Sequence, residues 1–382
     1  MVGIFAESAS DPESFMALLE FASCSELDEL ELVVHRAGRE QLAGAQRANE
    51  GAGHWPGEVM AALEQLPLVG LELDGQLGGQ PMGTSAKAVI LMTLALYDAG
   101  GLPGADQMGP AVGAIELCPD QDLANMVAQQ CLAGEAGCGF TVVDPHLGFR
   151  RLDWAPGWSE PVNGVELGWI WVSQSNSLSL YRITGDVDPV DALAFQSSGG
   201  LSVDSAATTL VDQWDLSERS ALYVRARARL WACCIAVGVA QAAIDETIAY
   251  TTERVVFGKP VAHHQANAFD LAGVAAGVHG ARLAVLNAAA AFDRGHPDAG
   301  FWATQAWLEA TDSAFVATNL GIQLLGGHGF LVDHLAEKRF REARHLALLF
   351  GGRDWAELDV SDHVLTVPDP LSLTPTDPEV SR

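Results

Sequence analysis

Positive charge is what this sequence has least of. Its 382 residues hold three lysines, Lys87, Lys259 and Lys338, and its 21 basic side chains stand against 49 acidic ones, a formal net charge of −28. Such a balance argues against a nucleic-acid partner, because phosphate backbones are held by basic surface, and against docking on anionic membrane surfaces. No charge-free run of about 20 apolar residues occurs, so no membrane-spanning segment is expected. Met1–Ser10 lacks a basic n-region, so no secretory leader is expected. The six cysteines show no C-x-x-C spacing, which argues against a zinc site or other metal. Cys233 and Cys234 fall inside an apolar run, where thiols act as small hydrophobes. These absences point to a cytoplasmic protein with reduced thiols.

With 49% hydrophobic and 18% charged residues, the chain fits a globular protein of two or three domains. Residues 1–108 read as a helical domain. Asp11-Pro12 is a helix-start signal, and helices are expected over Glu29–Arg47, Glu58–Leu66 and Ser85–Ala99. From 109 to 212 helical periodicity fades. Asp122–Leu132 reads as a helix, and Phe140–Val143, Gly168–Ser173, Leu178–Ile183 and Leu201–Asp204 read as strands of a small antiparallel β-domain, punctuated by glycine. Residues 213–366 read as a four-helix bundle, with Ser217 as the first N-cap. Its later helices run from about Gln265 to Arg294, Gly300 to Leu325 and Val332 to Phe350. Residues 367–382 carry four prolines and read as a disordered tail. The fold class expected is α+β, mostly α: helical domain, small β-barrel or sandwich, helical bundle.

Between the first two bundle helices lies Arg254-Val255-Val256-Phe257-Gly258-Lys259-Pro260-Val261-Ala262-His263-His264-Gln265. Gly258 and Pro260 break the helix. A basic spot on so acidic a chain suggests a bound anion such as phosphate; a helix hairpin whose basic end matches the helix dipole explains it as well.

Several fragments then occur in order: Ala236-Val237-Gly238-Val239-Ala240-Gln241, the Arg254–Gln265 turn, Ala281-Arg282-Leu283, Gln323-Leu324-Leu325-Gly326-Gly327-His328-Gly329-Phe330, and Glu337-Lys338-Arg339-Phe340-Arg341-Glu342-Ala343-Arg344. Together with the helix–sheet–helix order they resemble the acyl-CoA dehydrogenase family. The resemblance implies an FAD enzyme that desaturates acyl-CoA thioesters and passes electrons to an electron-transfer acceptor. It implies cofactor contacts from Arg254, Phe257, Gln265, Gln323, Gly326 and Gly327, reaching over the FAD of a neighbouring subunit. The chemistry agrees: a guanidinium pairs with pyrophosphate oxygens, amides donate, and paired glycines admit a close ligand or simply cap a helix.

The family also needs a carboxylate to take the α-proton. Its two positions fall here on Phe350, or Gly351 one residue on, and on Ala228, just before an arginine that matches Arg229. None can accept a proton. The flavin-ring segments find only Ile115-Glu116-Leu117-Cys118-Pro119-Asp120 and Gly168-Trp169-Ile170-Trp171, poor matches both. His328 and His345 have the right imidazole chemistry for a substitute base, but a turn residue and an ordinary helix residue explain them. His263-His264 side chains point apart, against a metal pair. Asp354 and Glu357 fit a solvated helix face. Arg225, Arg227 and Arg229 scatter round a helix and read as mostly solvated or paired with carboxylates.

The missing base makes the chain similar to the base-less partner subunits of actinobacterial heterotetrameric acyl-CoA dehydrogenases, which act on steroid or other bulky acyl-CoA chains. That implies a non-catalytic subunit completing the FAD site of a catalytic homologue. A self-sufficient dehydrogenase with a non-standard base, acting as a dimer or tetramer of itself, is the alternative. A structural bundle protein without ligand is the third.

Overall fold

The computed structural model describes residues 25–52, 55–63, 66, 68–80, 82–143, 151–158, 167–185, 188–189, 194, 198–202 and 208–366. The Asp11-Pro12 helix start and the 367–382 tail lie outside the described residues. The described chain is mostly helical with small sheets, the fold class expected.

Helices α1 (Ser25–Gln41), α2 (Gln46–Ala52), α3 (Gly57–Ala62) and α4 (Thr84–Asp98) open it. The one helix expected over Glu29–Arg47 is two, because Gly44 adopts φ 85° in the turn between them. α4 is buried along nearly its whole length. Its one lysine, Lys87, is 3% exposed and meets Asp106 at 2.7 Å, a pairing that makes burial of a charge tolerable. Two short helices, α5 (Leu102–Ala105) and α6 (Val112–Glu116), lead to α7 (Gln121–Leu132), capped by the Asp120 carboxylate.

Strands β1 (Gly137–Val142), β3 (Leu167–Gln174), β4 (Ser177–Ile183) and β7 (Thr208–Asp215) form a sheet in that order. A second sheet holds β2 (Arg151–Trp158), β6 (Ser198–Ser202) and β5 (Asp188–Pro189), ordered β2-β6-β5. The sheets are not wholly antiparallel. β1 and β3 pair in parallel. Because β2 is laid in the other sheet between them, the chain returns to the starting end before β3 begins, which is what a parallel pair requires.

The bundle starts with α8 (Glu218–Glu253), where the Ser217 hydroxyl accepts the Ser220 N–H at 3.1 Å. α9 (Gln265–Asp293), α10 (Ala299–Leu325), α11 (Ala336–Leu346) and α12 (Gly352–Thr366) follow. Five helices therefore stand where four were expected, and α11 is shorter than the Val332–Phe350 span. Gly351 and Gly352, with φ 91° and 64°, separate α11 from α12. By length and composition α8 and α9 could each cross a bilayer; 72% of the most apolar α8 window is buried in the bundle against 22% for α9. α8 is thus the bundle's core. It lies against α4 through Gly238, where a Cβ would collide with the Met92 carbonyl and Ala95.

The bundle and the N-terminal helices are also joined by polar links. Asp293, at the end of α9, accepts from Thr84 N (2.5 Å) and Ser85 N (2.9 Å) and so caps α4 from another part of the chain. Arg227 on α8 meets Glu72 at 3.1 Å and Glu116 at 3.6 Å, and Tyr223 donates to Glu116 at 2.9 Å. Burial holds the Glu72 carboxyl above its ordinary range, against the pull of Arg227 and Lys87.

The motif residues of α11 are ties of the same kind. Lys338 is 3% exposed and pairs with Asp98 (3.1 Å) and Glu342. Arg339 pairs with Glu246 of α8, and Arg341 with Glu50 of α2 at 2.5 Å. Of the three lysines only Lys259 is on the surface.

Candidate functional site

The two places where a catalytic carboxylate was sought lie at one buried location. Ala228 and Arg229 are 0% exposed and Phe350 is 4% exposed. The Phe350 ring packs on Phe140 of β1 with centroids 5.9 Å apart. Its backbone sits at φ 52°, in the left-handed region that costs an L-residue about 1–2 kcal/mol. Arg229 spans this location. It donates to Asp359 at 2.6 Å, to the Thr304 hydroxyl at 3.4 Å and to the Phe350 carbonyl at 3.4 Å. Asp359, on α12, also takes two bonds from Arg225, at 2.6 and 3.1 Å. Burial opposes ionisation of Asp359, but the Arg225 hydrogen bond and the Arg229 charge outweigh it and hold the carboxyl below its usual range. The guanidinium of Arg229 is itself drawn down by burial.

Of the two readings the sequence left open for the three arginines, solvated or paired with carboxylates, the structure shows the second. Arg225, Arg227 and Arg229 are at most 5% exposed, and each is paired rather than solvated. α8 packs against α4, α9, α10 and α11, and Asp359 of α12 takes Arg225 and Arg229, so these arginines do not face solvent. Asp359 was missed altogether. The signal that points to it is an acid on a helix that follows the Gly351-Gly352 turn by two turns, facing arginines that have nowhere else to go.

His345, one of the substitute bases weighed, is 8% exposed, and burial pulls its imidazole down to about 4. It is neutral at physiological pH. Asp354 and Glu357 lie exposed, Glu357 on Arg353 at 2.5 Å.

The opposite end of α8 is open. Arg254 is its C-cap, with ψ 116° turning the chain out of the helix. Val255–Val256 and Lys259–Pro260 then form a two-residue ladder whose turn, Phe257-Gly258, has φ 52° and 83°, the two positive values of a type I′ hairpin. Phe257 at the tip is 94% exposed. Lys259 Nζ donates to the His263 carbonyl at 3.1 Å, and His264 Nε2 lies 3.1 Å from the Val256 carbonyl, closing the turn on α9. Gln265 starts α9 and is exposed. The Arg254 side chain is exposed and bonds to none of the described residues.

Gln323, Gly326 and Gly327 end α10 and are exposed as well. They stand beside the end of α8. Gly321 packs against Thr247, and the Tyr250 hydroxyl lies 3.1 Å from Nδ1 of His328. Gly326 adopts φ 61°, ψ −132°, a conformation essentially confined to glycine. A Cβ on Gly326 or Gly327 would meet no atom of this chain within 4 Å. Intramolecular crowding therefore does not call for glycine at 327, and the bare backbone there is free to meet something else. All six residues assigned to a cofactor are exposed, at the ends of α8 and α10 and the start of α9. An unpaired guanidinium, two amides and an uncovered glycine turn are donors suited to a dinucleotide phosphate.

The segments aligned with flavin-ring contacts do not make such a face. Trp171 is 0% exposed. Trp169 donates to Gln130 at 2.8 Å and lies under the Arg182 guanidinium at 4.5 Å. After Cys118 the chain edges an open, shallow surface hollow lined by Pro119, Asp120, Gln121, Asp122, Asp212 and Trp214. Three carboxylates and no cation line it, which repels phosphate. No group of three or more metal-ligating side chains occurs among the described residues.

Residues 219–365 match the family model for the acyl-CoA dehydrogenase C-terminal domain. The chain is 25% identical over 355 residues to the probable acyl-CoA dehydrogenase FadE25 of Mycobacterium tuberculosis, covering 84% of this chain and 90% of that one. Among solved structures, the ChsE4-ChsE5 complex of Mycobacterium tuberculosis superposes with TM-score 0.75 at 16% identity, covering 91% and 99% of the two chains. A glutaryl-CoA dehydrogenase from Mycobacterium smegmatis in complex with FADH2 gives 0.71 at 17%, covering 90% and 95%.

Proposed function

We propose that the chain is a flavoprotein of the acyl-CoA dehydrogenase family, which its C-terminal region and its relatives support, and that it serves α,β-desaturation of an acyl-CoA thioester as the subunit that does not take the proton. One observation carries the reading. Both base positions are buried and apolar, while every cofactor position is exposed. FAD, when bound, supplies the hydride acceptor. Arg254 would hold its phosphates, with Gln265, Gln323 and the backbone at Gly326-Gly327 donating beside it and Phe257 offering an aromatic surface. The surface hollow of this chain's own β-region, lined by Asp120, Asp122 and Asp212, is a poor match for the same phosphates. The face therefore completes a site whose carboxylate and flavin cleft are provided by a homologous chain. That assembly type is supported by the fold shared with the ChsE4-ChsE5 complex.

Each residue has a definite task in this reading. Arg229 and Asp359 keep the Phe350 turn closed. Phe350 and Phe140 exclude water and substrate from the place where proton abstraction would occur. The absent carboxylate costs this chain general-base catalysis, roughly 10²–10⁴-fold. A dehydrogenase active by itself would need a base within reach of the thioester, and the buried His345 at about 4 is the nearest in chemistry.

Flavin stoichiometry tests the proposal. The full chain purified alone should hold little FAD, and co-expression with a homologue bearing the carboxylate should give one FAD per pair. One FAD per chain in the isolated protein, with desaturation of an acyl-CoA, would overturn it.

A further inference from the structure

We infer that Tyr250 and His328 form a positioning pair that makes the His328 imidazole a phosphate-binding element of the exposed face, beside Arg254. The inference rests on the reading of that face as a dinucleotide site and adds a residue to it. Tyr250 lies one turn before Arg254 on α8, and His328 directly follows Gly327. Their 3.1 Å contact, with ring centroids 6.0 Å apart, joins segments 78 residues apart. With the phenol hydroxyl donating to Nδ1, one of the two tautomers this contact permits, the ring proton sits on Nε2 and makes it a donor; the proposal takes this tautomer. His328 is exposed, and no described residue engages Nε2.

The ring is held from two sides, by Tyr250 and by His334. His334 stands edge-on to His328 at 5.3 Å and to Tyr250 at 6.2 Å. Arg47 fixes the loop behind them by donating to the carbonyls of Val332 (2.9 Å) and His334 (2.5 Å). The charges around this cluster leave the outer edge free for an anion. Glu246, one turn before Tyr250, is taken by Arg339 and stands 4.0 Å from His334 rather than from His328. Asp333 and Glu253 are exposed and Arg254 is unpaired. His328, Arg254 one turn after Tyr250, and the uncovered Gly326-Gly327 turn are thus all exposed near the same end of α8, and together they would serve one oxyanion, on a protein whose formal charge of −28 makes any anion site a local exception.

Riboflavin, which has no phosphate, separates a phosphate contact from a merely structural role. The flavin-bearing assembly that this chain forms, with itself or with the carboxylate-bearing homologue, is stripped and titrated with FAD and with riboflavin, and its oligomeric state is checked by gel filtration. His328→Leu should weaken FAD binding about tenfold and Tyr250→Phe a few-fold. His328→Gln, whose amide accepts and donates, should stay within about twofold. Riboflavin affinity should not change in any of them. Unchanged FAD affinity in His328→Leu, or an equal loss for riboflavin, would overturn the inference. If Arg254→Ala weakens FAD binding and His328→Leu does not, only this inference falls; if Arg254→Ala has no effect either, the reading of the face falls with it.

Discussion

The two ends of α8 are built in opposite ways. Toward one end Arg229 is fully buried, bonded to a carboxylate, a hydroxyl and a carbonyl, and closes the Phe350 turn, where the sequence resemblance would put a base. At the other end Arg254 is exposed and bonded to none of the described residues, next to a strained hairpin and a bare glycine turn. The same side chain serves stability at the first end, through charge pairing out of water, and stands available for an external anion at the second. Polar groups held by the chain's own partners have no capacity left for a ligand; polar groups without such partners are where recognition is to be sought.

The largest effect expected is at the closed end. Asp359→Ala leaves Arg225 and Arg229 buried without their shared carboxylate, at a cost of roughly 3–5 kcal/mol in denaturant unfolding. A change under about 1 kcal/mol would mean that this end is not sealed by charge pairing.

Phe350→Glu places a carboxylate where the sequence resemblance would put the base. Because the ring it replaces packs on Phe140, the substitution should cost roughly 3 kcal/mol and yield no desaturation by the isolated chain. A gain of turnover would break the contrast, since it would show that substrate reaches this location.

Acid sensitivity comes next. His345 is buried and neutral, its imidazole drawn down to about 4. The unfolded chain gains a proton there near pH 6.5, so the native state loses stability as pH falls from about 6.5 toward 4. His345→Gln should make that loss smaller by about 2 kcal/mol, read from urea midpoints across pH. Asp359 contributes lower on the scale. Its depressed carboxyl stabilises the fold above about pH 4, and this stabilisation is lost as pH drops through the folded-state value.

At the open end the expected effects are on ligand and not on fold. Arg254→Ala should lower flavin affinity of the assembly about tenfold with the melting temperature unchanged. The smallest effect is at Phe257, where φ 52° disfavours a bulky side chain. Phe257→Asn should raise stability by up to about 1 kcal/mol while lowering flavin content. A loss of stability instead would make Phe257 a structural residue of the hairpin.

The sequence made the open end far more legible than the closed one. Arg254, Gly258, Gln323 and Gly326-Gly327 belong to short local motifs, and a turn between helices keeps its chemistry wherever the helices pack. The closed end depends on Arg229 meeting Asp359, 130 positions later, on a helix that apolar periodicity passes over. For three alternating arginines, solvation and carboxylate pairing cannot be told apart until the helices around α8 are in place. Likewise, the strand segments Gly168–Ser173 and Leu178–Ile183 were visible from their composition, whereas the parallel β1–β3 pairing follows from β2 joining another sheet, which no local pattern records. Burial of Lys87 and Lys338 was hidden for the same reason: their partners, Asp106 and Asp98, lie in other helices or loops.

The claim that one end is closed to chemistry while the other serves a neighbour's flavin has a direct test in anaerobic flavin reduction. FAD mixed with the isolated chain and acyl-CoA substrates of varied chain should keep its oxidised spectrum, while the assembly with a carboxylate-bearing homologue should bleach. Bleaching of one FAD per chain in the isolated protein would contradict the account.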